Sequence, residues 1–244
     1  MNHAIELLLA SDFDGTLADI RDRPEDVVIR DEARELLENA SNRDGVSVAF
    51  LSGRDLEDLT LRTAGIHAWR SGSHGLDVAD PEGRILRSGK PLTVRPPDEW
   101  MRQVGECGLT LEKKKYGVAV HWRTAEGVNR RHPLVGEFAR WAEANGLHPI
   151  EGRCVLEASV PGFTKIDALR FLAEESRASR VVYAGDDITD FAALEWAAAR
   201  GHGFFVRSLE RKELPPPGVE PVGSTVELLA KFEEVLREAG SPSL

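Results

Sequence analysis

The sequence predicts an α/β fold in which a doubly wound parallel sheet forms the core and an α+β segment is inserted into it. Up to residue 80, and again after residue 163, short apolar runs alternate with segments of helical periodicity. This alternation is typical of parallel sheets with helices on both faces. Residues 93–160 instead show antiparallel alternation. With 244 residues, the chain suits a core domain plus a smaller one. We predict a core of 1–92 and 161–244 and an inserted domain of 93–160.

The elements before the insertion follow from apolar runs and turn residues. Residues 4–12 (AIELLLASD) and 46–54 (VSVAFLSGR) are continuous apolar runs that end at turn signals, as buried strands do. Residues 30–40 and 55–65 have helical periodicity, and the glycine that closes the second segment predicts its C-cap. Residues 68–78 predict a third strand with a Gly/Ser turn.

The inserted segment begins with a change of pattern. Residues 92–100 contain a Pro-Pro-Asp sequence, which signals a linker or a helix start. Residues 109–123 predict an antiparallel strand, clearest in YGVAVHW. Residues 132–146 form an amphipathic helical pattern, and 148–162 predict one or two short strands.

After the insertion the α/β alternation resumes. Helices are predicted at 164–176, 191–201 and 224–240, the last capped by its initial serine or threonine. Strands are predicted at 180–190 and 201–207, and the Pro-rich LPPPGVEPVGS is predicted to be a loop.

Charge and cysteine content limit the partners and the compartment. The net charge of -10 and the pI near 5.3 disfavour nucleic acid and anionic membranes, which attract clustered Lys and Arg. Cys107 and Cys154 are far apart and outside any CxxC pattern, so we expect free thiols in a reducing cytoplasm. The first apolar run is interrupted by Glu6 and is too short for a signal peptide or a membrane span. We expect a cytoplasmic monomer or weak oligomer, and the sequence indicates no particular protein partner.

Polar side chains follow four predicted strands. In open α/β sheets, ligands bind at the carboxyl ends of the strands. Acidic side chains at one edge repel each other unless a cation compensates them, and an all-oxygen site of this kind suits Mg²⁺. The polar groups at these four ends are Asp12 and Asp14; Ser52, Gly53 and Arg54; Ser73 and His74; and Asp186, Asp187 and Asp190.

Two aspartates one residue apart suit phosphoryl transfer. One carboxylate, Asp12, can attack phosphorus and form an aspartyl-phosphate. The other, Asp14, can protonate the leaving alkoxide and then deprotonate water. Mg²⁺ would be held by Asp12, the backbone carbonyl of Asp14 and Asp186, while Ser52 and Lys165 clamp the phosphoryl oxygens.

Each motif taken alone also has a structural interpretation. An Asp-x-Asp pair is more often a solvated turn, SGR a turn, and GDD a helix N-cap. Their conjunction in order, with a lysine after an insertion, favours function. DFDGT at 12–16, Ser52, Lys165 and GDDITD at 185–190 resemble the four motifs of the haloacid dehalogenase-like (HAD) hydrolases. The resemblance implies a HAD-like core with a C2-type cap, as in the sugar-phosphatase branch.

The motifs SGR, GSHG and E-x-K followed by HWR are similar to those of the trehalose-6-phosphate phosphatase family. This resemblance, spread from about 11 to 195, implies further site residues. Cap residues would bind sugar hydroxyls, a Ser-His-Gly loop would approach the sugar from the core side, Arg54 would lie near the phosphate, and the remaining motif residues would support the site. The cap residues are Glu112, Lys114 and Glu157, and the loop is Ser73, His74 and Gly75. Gly53 would bind the phosphate together with Arg54, and the supporting residues are Thr16, Asp187 and Asp190.

The chain departs from the family pattern at Phe191, at Ile166 and in its EKK sequence. None of these changes removes a predicted metal ligand. Because Glu112 and Lys114 are two residues apart on a strand-like segment, they should face one side together. The alternative is a salt-bridged surface strand. We interpret His121 and Arg123 as packing or support for that pair.

The resemblance implies Mg²⁺-dependent hydrolysis of trehalose 6-phosphate, with a small-molecule sugar phosphate as the only ligand besides the metal. A second possibility is another C2-capped sugar phosphatase, acting on glucosyl- or mannosyl-3-phosphoglycerate or sucrose phosphate. A third is a non-catalytic sugar-phosphate sensor, which the intact acidic motifs and Lys165 disfavour.

Overall fold

The computed structural model describes residues 6–21, 23–125, 127–152, 154–207 and 213–239. The chain divides into two compact units. The core unit comprises Met1–Ser88 with Phe163–Leu244, and the inserted unit is Gly89–Gly162. The inserted unit is a few residues wider than the predicted 93–160.

Twelve strands and seven α-helices lie within the described residues. The strands are β1 (Leu7–Ser11), β2 (Val46–Leu51), β3 (Ala68–Gly72), β4 (Asp77–Ala79), β5 (Ile85–Arg87), β6 (Thr110–Lys113), β7 (Gly117–His121), β8 (His148–Gly152), β9 (Val155–Ser159), β10 (Arg180–Gly185), β11 (Gly201–Val206) and β12 (Glu220–Val222). The helices are α1 (Asp31–Ser41), α2 (Leu56–Arg62), α3 (Asp98–Glu106), α4 (Pro133–Ala144), α5 (Lys165–Ser176), α6 (Phe191–Ala198) and α7 (Thr225–Ala239).

The core unit is built on an eight-stranded sheet in the order β12-β11-β10-β1-β2-β3-β4-β5. Strands β12 through β3 in that order are parallel, and β4 and β5 add an antiparallel edge. Because parallel strands share one direction, the carboxyl ends of β10, β1 and β2 lie at the same edge. The predicted doubly wound α/β fold is confirmed.

Both faces of this sheet are covered, as the continuous apolar runs require. In β1, Leu7 and Leu9 belong to one apolar cluster, which includes residues of α1 and α7. Leu8 and Ala10 belong to a second cluster, with residues of α5 and α6. Full burial of each leucine stabilises the fold by about 1.5–3 kcal/mol. This burial fixes the position of β1 in the sheet, and the residues that follow β1 therefore lie at the sheet edge.

The inserted unit has its own four-stranded antiparallel sheet in the order β6-β7-β9-β8. One face packs on α3 and α4, whose aromatic side chains Trp100, Phe138 and Trp141 stack in sequence. Side chains alternate across a strand, so the other face presents the polar residues of β6, β7 and β9.

The structure corrects several predicted elements. The single strand predicted at 109–123 is the hairpin β6–β7. The Pro-rich segment predicted as a loop contains β12, and β5 was not predicted. Helix α2 ends at Arg62 with Thr63 as its C-cap, before the predicted Gly65. Residues 4, 5, 153 and 240 of the predicted elements lie outside the described residues. No helix in the described ranges is long and apolar enough to cross a membrane.

Candidate active site

Asp12 lies immediately after β1, at the edge where the carboxyl ends of the parallel strands meet. Its backbone N–H donates to the carbonyl of Ala184 in β10 over 2.8 Å, which places Asp12 beside Asp186. The intervening turn needs glycine, because Gly15 has φ +79° and a Cβ there would lie 2.2 Å from Asp186 Oδ2. The acidic ends of β1 and β10 therefore pack directly on each other.

A buried hydrogen-bond network joins three of the predicted motifs. Lys165 Nζ donates to Asp12 Oδ1 over 2.9 Å and to Asp190 Oδ1 over 2.7 Å. The Tyr183 hydroxyl donates to the same Asp190 oxygen over 2.5 Å. The other oxygen of Asp190 accepts the backbone N–H of Asp187 over 3.1 Å. Asp12, Lys165 and Asp190 are 5%, 4% and 0% exposed, so water contributes little to their solvation.

The charges in this network shift the titration of its members. Burial raises the pKa of Asp12 well above its usual range, and the carboxylates of Asp190 and Asp186 add to this rise, against the lowering effect of Lys165. Burial alone would lower the pKa of Lys165, but the charges of Asp12 and Asp190 raise it. The lysine is therefore a fixed cation, and further positive charge beside Asp12 would favour the ionised form of its carboxyl group.

The acidic cluster fits a hard divalent cation. One carboxylate oxygen from each of Asp12, Asp186 and Asp190 lies within 4.8 Å of the other two. Three carboxylates share the cluster with one lysine, a balance that favours a divalent ion. Both oxygens of Asp190 accept hydrogen bonds, so Asp12 and Asp186 are the better ligands. The predicted third ligand, the backbone carbonyl of Asp14, stays a prediction.

The second carboxylate of the first motif is held by an arginine. Arg54 Nε donates to Asp14 Oδ2 over 2.8 Å and Arg54 Nη2 to Asp14 Oδ1 over 2.6 Å. Arg54 Nη1 also donates to Asp58 Oδ2 over 2.7 Å. A bidentate pair fixes the plane of the carboxylate, so Arg54 orients Asp14. The predicted phosphate contact of Arg54 and the proton transfer by Asp14 stay predictions.

Ser52 and the Ser-His-Gly turn form one interlocked structure after β2 and β3. The Ser52 hydroxyl accepts the backbone N–H of Arg54 over 3.1 Å. The backbone N–H of His74 donates to the Ser52 carbonyl over 2.9 Å, and that of Ser73 to the Arg54 carbonyl over 2.7 Å. Ser73 and His74 have φ of +49° and +57°, a conformation that costs energy in non-glycine residues.

Two glycines allow these motifs to approach each other. A Cβ at Gly53 would lie 2.6 Å from His74 Nε2. Gly75 has φ +114°, and a Cβ there would lie 2.4 Å from the carbonyl of Thr164. Thr164 is the N-cap of α5, the helix that begins with Lys165. The Ser-His-Gly turn therefore contacts both the Ser52 turn and the start of the lysine helix.

The predicted sugar-binding residues of the inserted unit make one ion pair and one histidine–glutamate contact. Lys114 Nζ donates to Glu157 Oε2 over 2.6 Å, and His121 Nε2 lies 2.8 Å from Glu112 Oε2. Ala119 pairs with both Glu112 and Glu157 in register, so the two glutamates share the face that the helices leave uncovered. β6 ends at Lys113, so Lys114 reaches Glu157 from the hairpin turn, not from a strand as predicted.

Two residues of the core site were not predicted from the sequence, and a third has more contacts in the site than predicted. Tyr183 stands in the apolar run of a predicted strand, although a buried phenol hydroxyl normally needs a partner. Asp58 follows Arg54 by four residues on α2, a spacing at which helix side chains meet. Asp190, predicted as support, is the hub of the buried network. The hydroxyl of Thr16 is buried and has no hydrogen-bond partner among the described residues.

Solved structures with the same fold include phosphatases. The chain superposes on the C-terminal domain of C. albicans trehalose-6-phosphate phosphatase with a TM-score of 0.69 and 17% identity, covering 96% of this chain and 93% of that one. It superposes on a phosphatase of the haloalkanoate (HAD) superfamily from Bacteroides thetaiotaomicron with a TM-score of 0.61 and 17% identity, covering 98% and 96%. The fold is that of the HAD phosphatases, as predicted.

Sequence comparison identifies the family to which the chain belongs. The family model for trehalose-phosphatase matches residues 10–202. A trehalose-phosphate phosphatase of Mycobacterium tuberculosis is 34% identical over 212 residues, which cover 80% of this chain and 52% of the relative. The chain therefore belongs to the trehalose-phosphatase family. It spans about half the length of the curated relatives it matches.

Proposed function

We propose that the protein is a Mg²⁺-dependent phosphatase that hydrolyses trehalose 6-phosphate to trehalose and phosphate. The observation that supports this best is the buried Asp12–Lys165–Asp190 network, with a second carboxylate, Asp14, two residues after the first. Membership of the trehalose-phosphatase family adds the substrate class. A buried carboxylate beside a fixed cation is suited to nucleophilic attack on a phosphate ester.

In the first step, a carboxylate oxygen of Asp12 attacks phosphorus while the bond from phosphorus to the sugar oxygen breaks. The electron pair of that bond goes to the leaving alkoxide, which takes a proton from Asp14. Ser52 and Lys165 bind the phosphoryl oxygens. The product is an aspartyl-phosphate on Asp12 and free trehalose.

In the second step, Asp14, now a carboxylate, takes a proton from water. The water oxygen attacks phosphorus, the acyl-phosphate bond to Asp12 breaks, and inorganic phosphate leaves. Arg54 supports this role because its bidentate contact holds the Asp14 carboxylate in one orientation.

Asp12, Asp186 and the carbonyl of Asp14 would hold Mg²⁺. When bound, the ion neutralises charge on the phosphoryl group. It would also offset the repulsion that the acidic residues exert on one another. The residues of the chain position the ester, supply the nucleophile and move the proton.

The inserted unit would act as the C2-type cap and contact the sugar through Glu112, Lys114 and Glu157. Each carboxylate there is paired with its own basic group. Two glutamates on one face disfavour a substrate whose second half carries a carboxylate, such as a phosphoglycerate derivative. They suit a neutral disaccharide, whose hydroxyls both donate and accept hydrogen bonds.

A substrate panel tests the proposed function. Phosphate release is measured for trehalose 6-phosphate, sucrose 6-phosphate, and glucosyl- and mannosyl-3-phosphoglycerate, at equal concentration with Mg²⁺ or with EDTA. We expect the highest kcat/KM for trehalose 6-phosphate and loss of activity in EDTA. A preference for a phosphoglycerate substrate would contradict the substrate, and no turnover of any ester would support the sensor alternative.

The Asp12→Asn variant tests the nucleophile. An amide cannot form the aspartyl-phosphate, so kcat should fall by about 10⁴-fold or more, as when a catalytic nucleophile is removed. Circular dichroism should show an unchanged fold, because asparagine has nearly the same volume. Phosphate release by this variant at the wild-type rate would refute the role of Asp12.

The proposed assembly is also testable. We propose a cytoplasmic monomer or weak oligomer that acts on a small-molecule sugar phosphate. Size-exclusion chromatography with light scattering across protein concentrations would measure the assembly. A stable higher oligomer at low concentration would contradict this expectation.

A further inference from the structure

We propose that His121 is a positioning residue that orients the Glu112 carboxylate and thereby sets selectivity for the sugar. The inference rests on the proposed function, because it assumes that Glu112 contacts the sugar. His121 itself touches Glu112 and acts through it.

The sheet register brings the two side chains together. Thr110 pairs with His121 and Glu112 pairs with Ala119 across β6 and β7. His121 and Glu112 are therefore diagonal neighbours on one face, a relation within reach of long side chains. His121 Nε2 and Glu112 Oε2 are 2.8 Å apart. Among the described residues, only this oxygen of Glu112 has a hydrogen bond, so Oε1 is available to accept one from a ligand.

The charges around Glu112 explain why it needs a dedicated partner. Burial tends to raise the pKa of Glu112, but the hydrogen bond of His121 and the charge of Lys114 lower it, while Glu157 acts against them. Lys114 already donates to Glu157 over 2.6 Å. Without His121, both glutamates would compete for Lys114, and the positions of both carboxylates would change.

Fixed acceptors determine selectivity among sugars. A site that pairs with particular hydroxyls rejects an analogue that leaves its polar groups unpaired, but only when those groups are held in place. The side chains of His121 and Glu112 are 28% and 40% exposed, so the pair can meet a ligand while remaining partly desolvated. A merely structural surface pair of this kind would contribute little and would leave substrate preference unchanged.

The test compares variants on two substrates, trehalose 6-phosphate and p-nitrophenyl phosphate, which lacks the sugar. His121→Ala removes the donor, and His121→Gln places an amide nitrogen near the position of Nε2. We expect His121→Ala to raise KM for trehalose 6-phosphate at least fivefold, with a smaller change in kcat. Its preference for trehalose 6-phosphate over p-nitrophenyl phosphate should fall by a similar factor. His121→Gln should recover most of the loss.

A double-mutant cycle shows whether His121 acts through Glu112. In a Glu112→Gln background, His121→Ala should cause no further loss of preference for the sugar. The matched control is His148→Ala, a histidine exposed on the edge strand β8 of the same sheet, which should behave like the wild type. Melting temperatures of all variants separate loss of fold from loss of selectivity.

Two results would overturn the inference. One is an unchanged sugar preference in folded His121→Ala, indistinguishable from His148→Ala. The other is a full additional loss in the double variant. If the wild type hydrolyses no sugar phosphate, the proposed function itself fails. If the wild type is selective and folded His121 variants stay so, only the role of His121 fails.

Discussion

At the scale of single residues, the Tyr183 hydroxyl makes a polar contact that its place in an apolar strand does not suggest. It donates to the same oxygen of Asp190 that accepts from Lys165. Burial raises the pKa of Tyr183 well above its usual range, and the charge of Asp190 adds to this, so the hydroxyl stays protonated and remains a donor. Tyr183 therefore helps to fix the carboxylate that orients the lysine.

Tyr183→Phe removes only this hydroxyl and tests its contribution. We expect the free energy of unfolding to fall by about 1.5–3 kcal/mol, the range for a hydrogen bond to a charged group. We also expect kcat to fall several-fold, because Asp190 is less fixed toward Lys165. Chemical denaturation and steady-state kinetics measure both effects.

The control for this prediction is Tyr116→Phe, a buried tyrosine of the inserted unit. It lies outside the network, so hydrolysis of p-nitrophenyl phosphate should be unaffected. If both variants have the same kcat on that ester, Tyr183 has only a structural role.

Several residues of the core site could be predicted because they directly follow strands of the sheet or begin a helix. Asp12, Asp186 and Lys165 follow turn signals that recur at strand ends and helix starts. The contact of Arg54 with Asp14 could not be predicted, because Arg54 was expected near the phosphate and Asp14 was expected to transfer a proton. Only the three-dimensional packing of the two turns brings them together.

At the scale of elements, prediction succeeded where burial on both faces makes a strand continuously apolar. β1, β2 and β10 have this pattern, and all three were predicted. β5 and β12 have three residues each, and neither has an apolar run. β12 lies at the sheet edge, where a proline is tolerated. Helix α3 was suggested only by its start signal.

The contact of the Ser-His-Gly turn with α5 gives a prediction at this scale. Gly75→Ala should both strain the backbone and push Cβ against the Thr164 carbonyl, 2.4 Å away. We expect the start of α5 to shift, so that kcat falls at least tenfold and the protein is destabilised. Thermal melts and turnover of p-nitrophenyl phosphate measure the two effects.

Gly83→Ala is the matched control, because Gly83 also has positive φ, +82°, but its Cβ would meet nothing within 4 Å. Gly83→Ala should lower the free energy of unfolding only by the strain of a left-handed residue, about 1–2 kcal/mol, and should leave kcat unchanged. Equal kcat in the two variants would contradict a role of the turn in placing Lys165.

At the scale of the whole molecule, the inserted unit interrupts the core chain between Ser88 and Phe163. Within the core unit, the Arg87 guanidinium lies 3.2 Å from the centroid of the Phe163 ring, a cation–π contact. The core residues that flank the inserted unit are thus in contact with each other. The core unit is built from two separate stretches of chain, and each supplies part of the acidic cluster.

Because those stretches meet at the cluster, metal binding should stabilise the folded molecule as a whole. Asp12 comes from the first stretch, and Asp186 and Lys165 come from the second. A ligand that binds only the folded state stabilises it by mass action, by about 2.7 kcal/mol at a hundred times its Kd. For a chain of this size that corresponds to a rise in melting temperature of roughly 5–10 °C.

We therefore expect saturating Mg²⁺ to raise the melting temperature relative to EDTA, and Asp186→Asn to remove most of this rise because one anionic ligand is lost. Asp80→Asn is the control: Asp80 is another buried aspartate, paired with Arg84 at the β4–β5 turn. Its loss should lower the starting stability but keep the response to Mg²⁺. An equal response in both variants would show that the ion binds elsewhere, and the charge balance around Asp12 would then need another explanation.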